Sequence, residues 1–356
     1  MKYNNILITG GAGFVGSNLA LKLKEKYPEI EISALDNLKR RGSELNLPRL
    51  KSAGINFFHG DIRNKEDFEQ VEKVDLILEC SAEPSVLAGI YSSPEYVINT
   101  NLTGTINCLE FARVRNADFL FFSTSRVYPV DPVNNLEYVE EENRFNLAEN
   151  QNVPGVSKIG INENFPLEGA RSFYGTTKLA SELLIQEYMY SYGLKAIINR
   201  CSVITGPWQM GKVDQGVFVL WVARHIFGGK LSYIGYGGEG KQVRDFIHID
   251  DIFDILDIQL NDFEKFSGKT HNIGGGLENS VSLKELTALC EKVTGKKIEI
   301  ESVLEDRPAD MKLYVTDNSK IQKLAGWKPK RNIEQIAKDV AEWIETNKEQ
   351  LKAILS

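Results

Sequence analysis

The sequence contains few of the residues that build disulfide scaffolds and transition-metal sites. Only four cysteines and four histidines occur among its 356 residues, and neither set shows the short spacings typical of zinc ligands. The cysteines are Cys80, Cys108, Cys201 and Cys290. We therefore expect reduced cysteines in a reducing compartment, the cytoplasm, and no metal site.

The sequence also lacks an excess of positive charge and a long apolar run. Its 42 lysines and arginines against 49 aspartates and glutamates give a net charge of −7, which offers no basic surface for nucleic acid. No apolar stretch reaches the roughly 20 residues that a membrane-spanning helix needs. The chain begins with a strand-type segment rather than a signal peptide. The expected partner is a small molecule, and neither nucleic acid nor a membrane.

The first sixteen residues have the pattern of a phosphate-binding turn. An apolar segment at 5–9 predicts a strand, and a glycine-rich turn then leads into a helix with apolar spacing. Glycines let such a turn close tightly and let the backbone approach a pyrophosphate, which the N–H groups of the helix N-terminus bind. The residues expected to contact the cofactor here are Gly10, Gly13, Phe14, Val15 and Gly16.

A second predicted strand, at 31–35, ends in an acidic residue. Asp36 follows Gly16 by about twenty residues, where a carboxylate binds the ribose hydroxyls of a dinucleotide and repels a 2′-phosphate. Asn37 lies beside it and is assigned to the same site. The basic run at 39–41 could instead hold a 2′-phosphate, but we interpret it as a solvated loop. The sequence thus predicts NAD, and not NADP, as the cofactor.

A tyrosine and a lysine one helical turn apart carry the predicted chemistry. Tyr174 and Lys178 share one face of a predicted helix, about fifty residues after Thr124. A tyrosine with its usual pKa of about 10 is a poor base at neutral pH, but a lysine charge favours the phenolate. The phenolate can take the proton of an alcohol that Thr124 orients, while a nicotinamide accepts the hydride. These three residues are the predicted catalytic group, and Tyr174 and Lys178 are also expected to contact the cofactor.

Predicted strands alternate with helical segments over the first 200 residues. The strands fall at 5–9, 31–35, 55–58, 74–79, 118–123 and 195–200. This order predicts an α/β fold with a Rossmann-type, doubly wound parallel sheet. We assign 1–200 to an NAD-binding domain and 201–356 to a smaller α/β domain that binds substrate.

Three segments need separate interpretation. The run at 129–170 is an insertion in the first domain and a candidate lid or specificity loop, since ordinary connections are shorter. Segments 241–262 and 332–356 are expected to pack back on the first domain, the latter as a helix with apolar residues at helical spacing.

Six motifs in a fixed order resemble those of one enzyme family. They are Gly10-x-x-Gly13-x-x-Gly16, Asp61-Ile62, Asn101-Leu102-Thr103-Gly104-Thr105, Ser123 to Tyr128, Tyr174-x-x-x-Lys178 and Gln242 to Asp251. Over nearly the whole chain they resemble the extended short-chain dehydrogenase/reductase family, the NAD-dependent nucleotide-sugar epimerases and dehydratases. The resemblance implies tightly bound NAD, a nucleotide-diphospho-sugar substrate and a homodimer or homotetramer. It also implies a role in making lipopolysaccharide or another cell-surface polysaccharide.

The resemblance carries cofactor roles over to single residues. Asp61 and Ile62 correspond to residues beside the adenine, and Ala82 to a residue that lines the cofactor groove. Asn101 corresponds to a residue on the helix behind the active site, and Ser123 is assigned to the cofactor site. For two of these a structural alternative stays open: Asp61 can cap a helix, and Asn101 can satisfy buried backbone.

Substrate residues are implied in the same way. Arg244 and Arg307 fall where the family binds the diphosphate, and a guanidinium suits phosphate because of its fixed fork of donors. Each arginine can instead form a salt bridge, to Asp245 or Asp310. The remaining expected substrate contacts are Ser125, Arg126 and Gln209.

The two residues after Thr124 bear on the reaction type. The family's 4,6-dehydratases carry an acidic pair there, which supplies the acid and the base for the elimination, whereas this chain has Ser125-Arg126. Dehydration is therefore disfavoured. The chain resembles the CDP-paratose 2-epimerases, with which it shares Gly160-Ile161-Asn162-Glu163 and Asp214-Gln215-Gly216.

Alternatives remain within and outside the family. A nucleotide-sugar 4-epimerase needs the same three catalytic residues, and a non-catalytic NAD-binding protein needs none of them.

Two departures from the family pattern concern the sugar site. Pro129 replaces a glycine, and Glu79 stands where the family has histidine.

Overall fold

The computed structural model describes residues 1–211 and 215–356, which form two compact units. The first unit comprises Met1–Val127, Ser172–Arg200 and Phe253–His271. The second comprises Tyr128–Arg171, Cys201–Ile252 and Asn272–Ser356. Asp214, part of a motif named above, lies outside the described residues.

The elements alternate between strands and helices along much of the chain. The strands are β1 (Asn5–Thr9), β2 (Glu31–Asp36), β3 (Asn56–His59), β4 (Leu76–Glu79), β5 (Asp118–Thr124), β6 (Tyr138–Glu140), β7 (Phe145–Leu147), β8 (Val156–Ser157), β9 (Gly160–Ile161), β10 (Ala196–Cys201), β11 (Val203–Thr205), β12 (Leu231–Ile234), β13 (Val243–His248), β14 (Lys269–Ile273), β15 (Ser280–Ser282), β16 (Ile300–Val303) and β17 (Leu313–Tyr314). The helices are α1 (Phe14–Lys26), α2 (Leu47–Ser52), α3 (Glu95–Ile98), α4 (Gly104–Arg115), α5 (Val130–Asn134), α6 (Phe173–Tyr192), α7 (Val217–Phe227), α8 (Ile249–Asn261), α9 (Phe263–Phe266), α10 (Leu283–Thr294), α11 (Ser319–Ala325), α12 (Ile333–Thr346) and α13 (Lys348–Leu355).

The first unit is built on a seven-stranded sheet in the order β14-β10-β5-β4-β1-β2-β3. From β3 to β5 the neighbouring strands run parallel, and Ile6 of β1 pairs with Ile32 of β2 and Leu76 of β4. The predicted α/β class with a large, Rossmann-like parallel sheet is confirmed. Each of the six predicted strands is present within two residues of its expected ends.

The apolar composition of these strands follows from their burial. Leu7, Ile77 and Phe119 have no exposed surface, as expected for parallel strands that are covered on their faces. They pack in one hydrophobic core with Cys108 of α4 and Ile185 of α6. This core fixes α6, the helix that carries Tyr174 and Lys178, against the sheet.

Parallel strands place their carboxyl ends at one edge of the sheet, where ligands of such folds bind. Gly10 follows the end of β1, and Asp36 is the last residue of β2. Glu79 and Thr124 are the last residues of β4 and β5. Residues far apart in sequence therefore meet along this edge.

The second unit is organised around β13. This strand pairs with β11 and β17 in parallel and with β15 antiparallel, while β12 and β16 form a separate parallel pair. Helix α7 packs against α10, α12 and α13. The segment at 129–170 holds α5 and two small antiparallel pairs, β6 with β7 and β8 with β9.

The division into units differs from the predicted domains in two segments. Residues 128–171, expected as an insertion in the first domain, cluster with the second unit, and residues 253–271 cluster with the first. The terminal segment at 332–356 is helical, as predicted, but consists of two helices that contact α7 within the second unit. Residues 253–262 of the segment 241–262 cluster with the first unit, whereas the packing of 241–252 and of 332–356 on the first domain stays a prediction.

Candidate active site

The glycine-rich turn leaves no room for side chains. Gly10 has a φ of 65°, in the left-handed region that favours glycine, and a Cβ at Gly16 would lie 2.3 Å from the Gly10 carbonyl oxygen. Helix α1 begins at Phe14 after Gly13, and no side chain within the described residues caps its N-terminus. The N–H groups of its first turn are therefore the donors that fit a pyrophosphate.

Asp36 is held beside this turn by both carboxylate oxygens. Its Oδ1 accepts the backbone N–H of Leu38 at 2.8 Å, and its Oδ2 accepts that of Ala12 at 3.1 Å. Burial raises the pKa of the Asp36 carboxyl, and the backbone donors oppose that rise. Lys39 of the basic run is exposed, with its ammonium 4.1 Å from the centre of the Tyr96 ring.

The expected adenine-site residues lie at the same strand edge. Asn37 Nδ2 donates to Asp61 Oδ2 at 2.9 Å, and Arg63 donates to the same carboxylate through Nε and Nη2, at 2.9 and 2.7 Å. Burial acts to raise the pKa of Asp61, but the Arg63 and Asn37 donors outweigh it and lower that pKa to about 2. Ile62 is buried next to them. The Asp61 carboxylate thus links Asn37 and Arg63, and no helix cap by it is present among the described residues.

Removing the Asp36 carboxylate should weaken NAD binding and reduce the difference between the affinities for NAD and NADP. The reason is that the acceptor for the ribose hydroxyls and the repulsion of a 2′-phosphate are both lost. Calorimetric titration of NAD-free Asp36→Ala with both cofactors measures this. Asp36→Asn is the matched control, since it keeps one acceptor oxygen for the Ala12 or Leu38 N–H and removes the charge. Tighter binding of NADP than NAD by the wild type would contradict the assignment.

Helix α6 presents the predicted catalytic pair. Ser172 caps it, with its hydroxyl accepting the Gly175 N–H at 3.1 Å, so Tyr174 lies in the first turn and is partly exposed. Lys178, one turn later, is only 2% exposed. Its ammonium lies 3.8 Å from the centre of the Phe121 ring of β5, a cation–π contact. A buried positive charge thus lies one turn from the tyrosine.

Thr124 meets the chemical requirement for an orienting hydroxyl. It is the last residue of β5 and is 8% exposed. Its Oγ1 accepts the Arg126 N–H at 3.2 Å, so the hydroxyl keeps its own proton for donation to a substrate oxygen. Ser125 and Arg126 continue into a short 3₁₀ turn, Ser125–Val127.

Ser123 points to a buried ion pair. Its hydroxyl donates to Glu182 of α6 in a short hydrogen bond. Glu182 also accepts from Arg200 of β10, from Nε at 3.0 Å and from Nη2 at 2.6 Å. Both charged side chains are almost fully buried, at 0% and 6% exposure. This network connects β5 and β10 to α6, and the sequence motifs alone did not indicate it.

Asn101 uses its side-chain amide on the protein itself. It lies in a π-helical turn, Asn99–Thr103, before α4. Its Oδ1 accepts the Glu83 N–H at 2.7 Å, and its Nδ2 donates to the Glu83 carbonyl and to Thr177 Oγ1, each at 3.1 Å. Asn101 therefore binds the backbone of the residue that follows Ala82 and contacts α6 through Thr177. These contacts agree with the alternative that Asn101 satisfies buried backbone.

Glu79 stands at the end of β4 with no exposed surface. Its Oε1 lies 2.7 Å from the Thr105 hydroxyl of α4. Burial raises the pKa of the Glu79 carboxyl to about 7, and the charge of Lys178 and the Thr105 hydroxyl act against that rise. A buried ionisable group therefore interacts with Lys178 at a position where the resemblance leads one to expect histidine.

The expected substrate residues of the second unit are engaged in internal contacts. Arg244 Nη2 donates to Asp310 Oδ1 at 2.7 Å and to the Met311 carbonyl at 2.6 Å. Gln209 is buried, with its amide donating to the Ile204 carbonyl at 2.9 Å. Arg307 is partly buried and precedes Asp310 in a turn, in which the Asp310 N–H donates to the Arg307 carbonyl at 3.3 Å.

Two residues that the motifs did not indicate organise this turn. Asn134 Nδ2 donates to the Asp310 carbonyl at 3.0 Å and to the Tyr236 hydroxyl at 3.2 Å. The Tyr236 hydroxyl donates in turn to the Asp310 carbonyl at 3.1 Å. Ala309, within the turn, has a φ of 57°, which is strained for a residue with a side chain.

Metal clusters, disulfides and membrane-spanning helices are absent from the described residues. Residues 1–211 and 215–356 contain no group of three or more histidine, cysteine, aspartate or glutamate side chains arranged to hold a metal ion. The four cysteines, all within these ranges, form no disulfide. Nor does the described part of the chain have a helix both long and apolar enough to cross a membrane.

Comparison with known proteins agrees with this geometry. Residues 6–274 match the model of the NAD dependent epimerase/dehydratase family. The chain belongs to this family, is therefore an enzyme, and has NAD as its cofactor. The glycine turn, the first turn of α1 and Asp36 are the residues that fit this cofactor.

Relatives with different reactions are similar to nearly the whole chain. The chain is 31% identical to the CDP-paratose 2-epimerase of Salmonella typhi over 95% of its length and 98% of that protein. It is 28% identical to the UDP-glucuronate 4-epimerase of Thermodesulfobacterium geofontis over 98% of each chain. The crystal structure of dTDP-glucose 4,6-dehydratase from Bacillus anthracis with NAD superposes with a TM-score of 0.77, at 27% identity, over 98% of this chain and 99% of that one.

Proposed function

We propose that this protein is an NAD-dependent epimerase of a nucleotide-diphospho-sugar and that it inverts C2 of a CDP-deoxyhexose, as CDP-paratose 2-epimerase does. The observation that carries the proposal is the group of Thr124, Tyr174 and Lys178. Thr124 is directly followed by Ser125-Arg126 in place of an acidic pair. The 2-epimerase similarity, at 31% identity, supports the choice of carbon and base.

The three residues divide the proton chemistry between them. The Tyr174 phenolate takes the proton of the sugar hydroxyl, and the Lys178 charge, buried one turn away, favours that phenolate. The Thr124 hydroxyl donates to the same sugar oxygen and holds it in place. Bound NAD supplies the hydride acceptor and donor. The resulting keto sugar rotates so that the hydride returns to its other face, and Tyr174 returns the proton to the oxygen.

Epimerisation is favoured over elimination because of the residues after Thr124. Loss of water from C6 needs an acid for the leaving hydroxyl and a base for the C5 proton. Ser125 and Arg126 provide neither, since a hydroxyl is a weak acid and a guanidinium stays protonated. Glu79 is fully buried behind Lys178 and does not replace them.

The reaction is tested by mass and by isotope. The product should have the mass of the substrate, whereas loss of one water would show elimination. A substrate deuterated at C2 should invert there with its label retained and without exchange from solvent, because the hydrogen never equilibrates with water. Deuterium entering from solvent at the inverted carbon would rule out the proposed mechanism.

A 4-epimerase is the second candidate, supported by the full-length similarity to UDP-glucuronate 4-epimerase. It would use Thr124, Tyr174 and Lys178 in the same roles. Inversion at C4 with C2 untouched would select it. Incubation of the NAD-loaded protein with CDP-, UDP-, GDP- and dTDP-sugars, followed by NMR of the ring protons, identifies base and carbon together.

We also propose that Arg244 and Arg307 bind the diphosphate. Arg244→Ala should weaken binding of the sugar nucleotide and of plain CDP by on the order of 1.5–3 kcal/mol, the range of a lost charge-assisted hydrogen bond. Asp310→Asn is the matched control, because it removes the salt bridge of Arg244 and leaves the guanidinium in place. It should keep CDP binding near that of the wild type.

Calorimetric titration with CDP separates the two roles of Arg244. Equal loss of CDP affinity in Arg244→Ala and Asp310→Asn would mean that the salt bridge only maintains the fold around Met311 and Asp310. Loss of NAD affinity in Arg244→Ala would point to the same conclusion.

The homodimer or homotetramer and the cytoplasmic location also remain part of this proposal, and size-exclusion chromatography with light scattering measures the oligomeric state.

A further inference from the structure

The Glu79 carboxyl is enclosed among elements that carry the active site. In the sheet it pairs in register with Thr9 of β1 and Phe121 of β5. Its Oε1 lies 2.7 Å from the Thr105 hydroxyl, and its Oε2 has no hydrogen-bond partner among the described residues. An ionised carboxylate with one oxygen left without a donor in the interior is costly.

Phe121 links Glu79 to the catalytic lysine. Residues in register on neighbouring parallel strands project to the same face of a sheet, with the strands about 4.8 Å apart. The Lys178 ammonium lies 3.8 Å from the centre of the Phe121 ring, on the side where α6 covers the sheet. Glu79 and Lys178 therefore share one buried compartment, and their opposite charges attract each other.

The Thr105 hydroxyl indicates that Glu79 can carry a proton. Its Oγ1 lies 2.7 Å from Glu79 Oε1 and also 2.7 Å from the Asn101 carbonyl oxygen. A hydroxyl has one proton, so it cannot donate to both acceptors at once. When Glu79 is protonated, its own O–H donates to Thr105, and Thr105 donates to Asn101. The network then satisfies both short contacts.

The titratable groups that face Glu79 come from two helices. Lys178 approaches from α6, and the Cys108 thiol approaches from α4. Burial, followed by the charge of Glu79, raises the pKa of Cys108 well above its ordinary value, so that thiol stays neutral near pH 7. Burial raises the pKa of Glu79 to about 7. Of these two groups, Lys178 is thus the one whose charge interacts with the Glu79 carboxylate.

We propose that Glu79 is a positioning residue for the proton transfer: once ionised, its carboxylate offsets the charge of Lys178 and makes Tyr174 hold its proton more tightly. The inference rests on the proposed function only in taking Tyr174 as the base. Glu79 touches neither substrate nor cofactor in this role. It acts through Lys178, which makes the strength of the base depend on pH near neutrality.

The direction of the effect follows from the sign of the charge. Below about pH 7 Glu79 is neutral, and Lys178 stabilises the Tyr174 phenolate in full. Above that pH the carboxylate opposes ionisation of Tyr174. In Glu79→Gln no negative charge forms at any pH. Tyr174 should therefore ionise at a pH lower by about 0.5–1 unit than in the wild type, the effect of one partly screened charge nearby.

Tyrosinate absorbance of the NAD-loaded protein without substrate measures this directly. The signal of Tyr174 is the difference between each protein and the same protein with Tyr174→Phe. The expected result is a lower ionisation midpoint in Glu79→Gln. Asp245→Asn is the matched control: it also neutralises a fully buried carboxyl whose pKa burial raises to about 6, but in the second unit. It should leave the Tyr174 midpoint unchanged. An unchanged midpoint in Glu79→Gln overturns the inference.

A second measurement does not depend on the variant being folded. Infrared spectra of wild-type protein with isotope-labelled glutamate should show a protonated buried glutamic acid that disappears as the pH rises through about 7. Absence of that band at pH 5–6, on the order of one unit or more below the expected midpoint, would also overturn the inference. If instead Tyr174 were not the base of the proposed function, the result would differ, since Tyr174→Phe would then keep full turnover.

Discussion

Replacing Tyr174 with phenylalanine should lower turnover by roughly two or more orders of magnitude, the range expected for loss of general acid–base catalysis. The substitution removes one oxygen from a partly exposed side chain in the first turn of α6. The helix cap, in which the Ser172 hydroxyl accepts the Gly175 N–H, does not involve that oxygen. NAD content and thermal unfolding should therefore match the wild type, and only the chemical step should slow.

Tyr190→Phe is the matched control on the same helix. Tyr190 is 89% exposed near the end of α6, so the same chemical change there should leave turnover unaltered. Lys178→Met should reduce both the rate and NAD affinity, because the lysine charge supports the phenolate and is expected to contact the nicotinamide ribose. Single-turnover kinetics with NMR detection measures the rates. Near-normal turnover of Tyr174→Phe would remove Tyr174 as the base.

The cofactor half of the first unit was predictable because its signals are local. Strand periodicity, the spacing of Gly10, Gly13 and Gly16, and an acidic residue at a strand end all lie within 36 consecutive residues. A tight turn and a helix N-terminus need only neighbouring residues to form. Tyr174 and Lys178 are likewise brought together by one turn of helix.

The residues behind the active site were not predictable in the same way. Ser123 was expected at the cofactor, which stays a prediction, and its hydroxyl donates to Glu182, 59 positions later. Asn101 was expected on the helix behind the active site, and its amide binds Glu83 and Thr177. Such partners depend on how strands and helices pack, and a single sequence does not encode which distant polar groups will meet in the interior.

The second unit shows the same limit more strongly. Arg244 has a motif that indicates phosphate binding, and a salt bridge to Asp310 was an open alternative; the structure contains that salt bridge. A guanidinium has enough donors for both roles, so the ion pair does not decide between them. Asn134 carries no recognisable motif, although it supports the Asp310 turn from a segment far away in sequence.

Breaking the buried pair of Glu182 and Arg200 should strongly destabilise the first unit. Arg200→Met leaves the Glu182 carboxylate, which has no exposed surface, with the Ser123 hydroxyl as its remaining donor partner in this network. An uncompensated buried charge costs about 3–5 kcal/mol. The midpoint of urea denaturation should fall accordingly, and binding of NAD should weaken because Ser123 and α6 lose their common anchor.

The double variant Glu182→Leu with Arg200→Met tests whether the cost is the unpaired charge. Removing both charges together should restore much of the lost stability, since an apolar pair of similar volume is often no less stable than a buried ion pair. The coupling between the two substitutions follows from a double-mutant cycle. Lys292→Met, which breaks the exposed pair with Glu334, is the control and should leave the urea midpoint near that of the wild type. If the double variant were as unstable as Arg200→Met, the cost would come from the lost hydrogen bonds and packing of the Arg200 side chain and not from an unpaired charge on Glu182.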